Sequence, residues 1–154
     1  MIEIKDLNDI VNIYNSNKLF LKSHIGKESI TVNWVCDELD AMKKEGFYSC
    51  KVVQKNSNKI VGLIDFKVDK ETYLSLLMIN SNLKGQGIGT NIYKLLEMYI
   101  KSCNSNSLRI DIVTNYDKDV LNFWIKNGFK RIDNITLNWN EQVLPAVVMK
   151  KELF

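Results

Sequence analysis

A chain of 154 residues, 45% hydrophobic and 25% charged, has the composition of an ordinary globular protein and is long enough to bury one core without requiring a second. Its net charge of +3 comes from nineteen lysines and only two arginines, Arg109 and Arg131, scattered along the chain, which argues against the dense basic face and arginine forks of a nucleic-acid-binding protein. No apolar run reaches the roughly 20 residues of a membrane span, and Met1-Ile2-Glu3-Ile4-Lys5-Asp6 is charged where a signal peptide is apolar, so one cytoplasmic domain over residues 1–154 is expected, with no membrane partner.

Cys36, Cys50 and Cys103 are odd in number, far apart and in no CxxC spacing, as expected of reduced thiols. His24 is the only histidine, so no metal site is expected and a Ser-His-Asp triad would have to use that one residue.

In chain order, Ile2-Glu3-Ile4 predicts a short opening strand, and Asp6 can cap a helix carrying Leu7, Ile10, Val11 and Tyr14. Asn15-Ser16-Asn17 ends it, and Lys18 to Lys27 reads as a loop holding Phe20, His24 and Gly26. A second helix begins near Ser29 or Thr31 with Trp34, Val35, Leu39 and Met42 on one side, and Gly46 stands where a helix C-terminal glycine belongs.

From Phe47 the pattern becomes strand-like. Phe47 to Gln54, a turn at Asn56-Ser57-Asn58, Lys59 to Val68, a turn at Asp69-Lys70-Glu71 and Thr72 to Ile79 predict three antiparallel strands. A helix beyond Gly85 carries Ile88, Ile92, Leu95, Leu96 and Tyr99 on one stripe. Ser102 to Ser107 breaks it, and Leu108 to Val113 predicts a strand with Leu108, Ile110 and Ile112 on one face and Arg109 and Asp111 on the other. A strand-helix-strand unit of this kind places its two strands parallel and adjacent. Asp117 then caps a helix with Val120, Leu121, Phe123, Trp124 and Ile125, stopped by Gly128. Phe129 to Trp139 and Val143 to Glu152 close the chain as two strands about a turn at Asn140-Glu141-Gln142, and Pro145 argues that the last strand begins near it or lies at an edge. The expected class is α/β, a mixed sheet, mostly antiparallel with a central parallel pair, flanked by helices.

The stretch with the clearest chemistry is Lys84-Gly85-Gln86-Gly87-Ile88-Gly89-Thr90 between strand and helix. Glycines at alternate positions let the backbone approach a ligand closely, and the helix N-terminus favours an anion such as a phosphate. A Rossmann loop is the competing reading. Its third glycine would need another spacing, and the acidic residue expected about 20 positions on is missing from Ser102 to Ser107.

Lys84-Gly85-Gln86-Gly87-Ile88-Gly89 resembles the loop of the GNAT superfamily, the GCN5-related N-acetyltransferases: Arg or Gln, two residues, Gly, one residue, Gly or Ala. The segment Asp117 to Phe129, a helix with an aromatic residue before Gly128-Phe129, is similar to the second signature of that family, and Met149-Lys150-Lys151-Glu152-Leu153 is a similar ending. With the order of elements, the resemblance covers essentially the whole chain. It implies acetyl-CoA as co-substrate. The loop from Lys84 to Thr90 would hold its pyrophosphate, backbone groups of Leu77, Met78 and Ile79 its pantetheine arm between splayed strands, and Asp117 and Trp124 would border the slot.

The resemblance further implies an enzyme that acetylates the amine of a small molecule or peptide, directly in a ternary complex; a non-catalytic acyl-CoA-binding module is the alternative. A homodimer through the C-terminal strands is compatible with it. The sequence departs from the family at Lys84, which lacks a planar fork, at Asp117, where an Asn is usual, and at Trp124, where many members carry a tyrosine acid. An acetyl transfer needs a neutral amine, stabilisation of developing oxyanion charge and a proton for the leaving thiolate. Asp111 is the first candidate base, with Asp65 and Glu28 behind it; Tyr116 is the first candidate acid, with Tyr73 behind it. Asp111 paired with a lysine on a solvated face, Trp124 as core or slot wall, and His24, Phe20 and Trp34 as acceptor contacts are the accompanying alternatives.

Overall fold

The meander expected after residue 47 is β1 (Tyr48–Gln54), β2 (Lys59–Lys67) and β3 (Glu71–Ile79) in a computed structural model that describes residues 1–139 and 141–153. Helix α4 (Ile88–Ser102) leads to β4 (Ser107–Val113), α5 (Lys118–Lys126) to β5 (Lys130–Trp139), and β6 (Gln142–Glu152) ends the sheet. The six strands lie in the order β1-β2-β3-β4-β6-β5, with β3 and β4 the parallel pair and their other neighbours antiparallel. That is the mixed α/β sheet the sequence predicts. Asn140, in the expected last turn, lies outside the described residues.

Two cores form on opposite sheet faces. Ile92, Tyr93, Leu96 and Ile100 of α4, with Trp124 of α5, pack on Leu74, Leu108, Ile110 and Met149. On the other face Leu7, Ile10, Ile13 and Tyr14 of α1 (Leu7–Ser16) and Val35 of α3 (Val32–Lys44) cover Leu63 and Met78. Burial of this kind, at about 25 cal/mol per Å² of apolar surface, is what fixes helices of such modest length.

Several local expectations are corrected. Ile2–Ile4 forms no strand: Ile2 donates one hydrogen bond to Ser49 O, and Ile4–Asp6 is a 3-10 turn. Asp6 does not cap α1: its Oδ2 pairs with Lys51 at 2.8 Å and accepts from Glu3 N at 2.7 Å, which closes a capping box on the 3-10 turn instead. Residues 18–27 are largely helical rather than loop, as α2 (Lys18–Phe20) continues into a π-helical turn at Leu21–Ile25 closed by Gly26. Leu21 and Ile25 are buried there, and packing overrides the weak local pattern. On α4, Leu95 and Tyr99 are exposed while Tyr93 and Ile100 are buried, so the buried stripe is rotated from the expected one.

Pro145 is near the start of its strand, as expected, but that strand is not at a sheet edge. The proline lies within β6, between β4 and β5, one residue beyond the last β4 pair, Val113 with Ala146. Its carbonyl accepts from Thr114 N, so its missing N–H faces the side on which β4 has ended, and no ladder bond is lost.

Candidate active site at the fork between β3 and β4

The parallel ladder between β3 and β4 runs only from Glu71 with Ser107 to Leu74 with Ile110. Both strands continue, but apart. The cause lies in β3, where Leu74 pairs with Phe66 and Leu76 with Asp65, leaving Ser75 as an extra residue in a bulge. The bulge reverses the facing of everything after it. Leu74 packs in the α4 core, whereas Leu76, two residues on, packs against the α1 and α3 core.

Past the bulge, β3 stays paired to β2 and turns its other edge to the gap. Asn80 donates to Val61 O at 2.8 Å, and antiparallel alternation from that bond points the Leu77 and Ile79 peptide groups into the gap and those of Met78 toward β2. All three residues expected to supply backbone groups line the cleft, and the peptide groups of two of them point into it. Met78 is buried in the α1 and α3 core, its peptide groups already committed to β2. Asn17 Nδ2 donates to Ile79 O at 3.0 Å, and Ser16 Oγ accepts from Ser81 N at 3.0 Å. The end of α1 thus fixes the end of β3.

The gap opens into a cleft of about 380 Å³ lined by Ser75, Leu77, Ile79, Lys84, Asp111, Tyr116, Asp117 and Trp124, with Phe20 and His24 at one side. A second cleft of about 620 Å³ shares Leu77, Ile79, Lys84, Asp117 and Trp124 and runs along Gly85, Gly87, Ile88, Gly89 and Thr90. Gln86 is the one loop residue that lines neither. Gly85 at φ +80° and Gly87 at φ +77° hold the loop in the left-handed region, which a side chain would strain.

Helix α4 starts without a side-chain cap, and its first helical hydrogen bond is Asn91 N to Gly87 O. The N–H groups of Ile88, Gly89 and Thr90 are consequently free to meet an anion. The N-terminus of α5 is different: Asp117 caps it, accepting from Asp119 N at 2.9 Å, and Asp119 adds a second carboxylate. An anion is drawn to the α4 end and repelled from the α5 end. The loop, its lysine and the two outward-facing peptide groups fit a long ligand with a phosphorylated end.

The expected catalytic residues fall in contrasting surroundings. Asp111 lines the cleft, but its carboxylate takes Arg109 Nε at 2.9 Å, Arg109 Nη2 at 3.0 Å and Tyr73 Oη at 3.2 Å. A carboxylate so occupied is a poor general base, and the geometry matches the alternative of an ion pair, made with Arg109 rather than a lysine. Tyr73, the second-choice acid, is held in the same contact, its phenol pushed up by burial and then by Asp111.

Tyr116 meets the cleft with its hydroxyl protonated, its pKa pushed up to about 12 by burial and, secondarily, by Asp117. Trp124 is buried, packed edge-on against Tyr93, Phe123 and Phe129, and walls both clefts. Asp65 is buried beneath α1 and α3 and lines neither cleft, and Glu28 lines neither. Among the described residues, no group of three or more His, Cys, Asp or Glu could hold a metal ion.

Sequence reasoning missed Ser16, Asn17 and Ser75. The first two stand at a helix end, where polar residues are common, and only the fold brings them to β3. The loop expected over residues 18–27 concealed that Phe20 and His24 share one helical face. His24 stacks on Phe20 at 4.1 Å between centroids, meets Tyr116 edge-on at 4.7 Å, and has its pKa lowered to about 4 by burial, so it is neutral at physiological pH.

Comparison with known proteins is consistent with this geometry. A family model described as an acetyltransferase (GNAT) domain matches residues 23–153. An uncharacterized N-acetyltransferase of Acanthamoeba polyphaga mimivirus is 28% identical over 132 residues, covering 84% of this chain; the chain spans 29% of that protein's length. In fold, the chain is similar to a ribosomal-protein-alanine N-acetyltransferase from Brucella melitensis, with TM-score 0.73, 17% identity, and 99% and 97% of the two chains covered. It is also similar to the PaiA N-acetyltransferase from Thermoplasma acidophilum in complex with coenzyme A, with TM-score 0.70, 16% identity, and 98% and 95% covered. No helix among the described residues is long and apolar enough to cross a membrane.

Proposed function

The chain belongs to the GNAT acetyltransferase family, and from that premise we propose that it moves the acetyl group of acetyl-CoA to an amine held at the Phe20, His24 and Tyr116 side of the cleft. The observation that carries this reading is the fork: pairing stops at Leu74 with Ile110, and the peptide groups of Leu77 and Ile79 face the space left behind. Acetyl-CoA would supply the activated thioester; a nitrogen–carbon bond forms as the carbon–sulfur bond breaks, and the proton lost by nitrogen balances the one the sulfur needs.

The chain's own residues divide the work. Free N–H groups of Ile88, Gly89 and Thr90, with Lys84, hold the pyrophosphate. The outward-facing groups of Leu77 and the N–H of Ile79, whose carbonyl is held by Asn17, hold the amide-bearing arm as a strand would be held. Trp124 keeps water from the slot wall. Tyr116, protonated at neutral pH, donates a hydrogen bond to the departing sulfur, the role that the indole at residue 124 cannot take as an acid. Asp111 holds the fork rather than removing a proton. The amine enters neutral, and water relays its proton.

Calorimetry with acetyl-CoA, CoA and NAD, followed by thiol release across a panel of amines, tests this. Acetyl-CoA and CoA should bind and NAD should not, with thiol release dependent on amine. Tight NAD binding without CoA binding overturns it, and CoA binding with no amine-dependent thiol release identifies a binding module instead.

A further inference from the structure

The acceptor end of the cleft has a distinct chemistry. Phe20 and His24 come from one helical stretch, α2 and its π-helical continuation, and Tyr116 comes from the loop before α5. Behind them the ring of Trp139 lies edge-on to Phe20 and His24, both at 5.9 Å. Three rings face the cleft and a fourth supports them, which makes a continuous aromatic wall.

Charge around the same end excludes one large class of acceptors. Asp111 and Asp117 are the only carboxylates that line this cleft among the described residues, and each is engaged, Asp111 by Arg109 and Tyr73, Asp117 by the backbone N–H of Asp119. Lys18 and Lys84 also line it. A polyamine or aminoglycoside carries further ammonium groups that lose their hydration on entry, and here they meet two lysines and carboxylates that already have partners. Burial at this end favours the uncharged form of the attacking nitrogen, because desolvation disfavours ammonium.

We infer that the acceptor is a small primary amine on a flat, uncharged aromatic body, an arylalkylamine, stacked against Phe20, His24 and Tyr116 with its nitrogen directed toward the fork at Ser75. This rests on the acetyl-transfer reading for its chemistry, but not for its binding. Ring–ring contacts of offset or edge-on type add selectivity of up to about tenfold per contact.

The test pairs binding with turnover. Quenching of tryptophan fluorescence is followed on titration with 2-phenylethylamine, spermidine, kanamycin and a short peptide with a free amino terminus. The arylalkylamine should bind and the polycations and peptide should not. Thiol release at saturating acetyl-CoA should give a kcat/KM for 2-phenylethylamine about 100-fold above that for spermidine, corresponding to two such contacts. Phe20→Ala should raise KM for 2-phenylethylamine about tenfold and leave the Kd of acetyl-CoA unchanged by calorimetry, with Phe20→Leu intermediate. Phe20→Glu should move preference toward spermidine. Spermidine or peptide binding at least as tight as 2-phenylethylamine overturns the inference, as does an equal loss for all acceptors in both Phe20→Ala and Phe20→Leu. Failure of acetyl-CoA to bind would instead overturn the transfer reading, while the amine titration still decides the acceptor class.

Discussion

Tyr73 Oη reaches across the parallel pair to Asp111 Oδ2 at 3.2 Å, from one strand of the fork to the other, immediately below the point where they part. Arg109 completes the contact from the same face of β4 and lies over the Tyr73 ring at 5.9 Å. Asp111→Asn should therefore act first on stability. Arg109 is partly exposed, so the loss is expected at about 1–3 kcal/mol rather than the larger figure for a fully buried pair, read as a lower denaturant midpoint. Tyr73→Phe should cost about 1 kcal/mol. The pH profile of kcat/KM should keep its shape in Asp111→Asn; disappearance of its acidic limb would return Asp111 to the role of base.

Tyr116→Phe should lower kcat about 100-fold while leaving the Kd of acetyl-CoA unchanged, since the phenol is assigned to the departing sulfur and not to donor binding. An unchanged kcat would remove Tyr116 from the chemistry.

Gly87→Ala should weaken acetyl-CoA binding, because φ of +77° costs an alanine about 1 kcal/mol and the loop relaxes away from the geometry that aims its N–H groups. Gly89→Ala should be tolerated. A Cβ there meets only Phe123 ring carbons at 3.6 Å, ordinary contact, and calorimetry should find its affinity within about threefold of the parent.

Asp65 is buried, and its Oδ1, like the neighbouring Ser49 Oγ, has no hydrogen-bond partner. Burial raises its pKa from 3.8 to about 7, with Glu38 adding to the rise; Glu38 is itself raised by burial, and Tyr14 stands on the same side. The folded state then holds a proton that the unfolded state releases. Stability contributed by that proton is present below about pH 4 and is lost as pH rises to about 7, an amount on the order of 4 kcal/mol. Asp65→Asn should raise Tm more at pH 8 than at pH 5; an equal change at both would show that Asp65 does not carry this dependence.

Strong local signals made most of the sheet and the cofactor loop legible in the sequence. Period-two alternation marks β2 and β4, and Gly85 and Gly87 mark the loop because their conformation demands glycine. The bulge was hidden because Tyr73 to Ile79 is apolar on both faces, so a shift of phase leaves no trace in the pattern. Arg109 and Asp111 were visible as one face of β4, but their bidentate pair depends on side-chain reach that spacing does not encode. Residues 18–27 were obscured because their helix is short and its order comes from burying Leu21 and Ile25 against the rest of the molecule. Trp124 was legible as a departure from the family, and its burial shows why a tyrosine there would be a costly change: a smaller ring would leave a void among Tyr93, Phe123 and Phe129.

The extra residue at Ser75 works in this strand as a compensated frameshift does in a coding sequence. Everything downstream is spelled for the shifted frame: Leu76 and Met78 belong to one core, Leu77 and Ile79 to the other. Deleting that single serine would make Leu74 and Leu76 consecutive, in step with their partners Phe66 and Asp65, so every remaining side chain would keep its face and only the bulge would go. Straightening the bulge with the serine retained is what would send each to the wrong face.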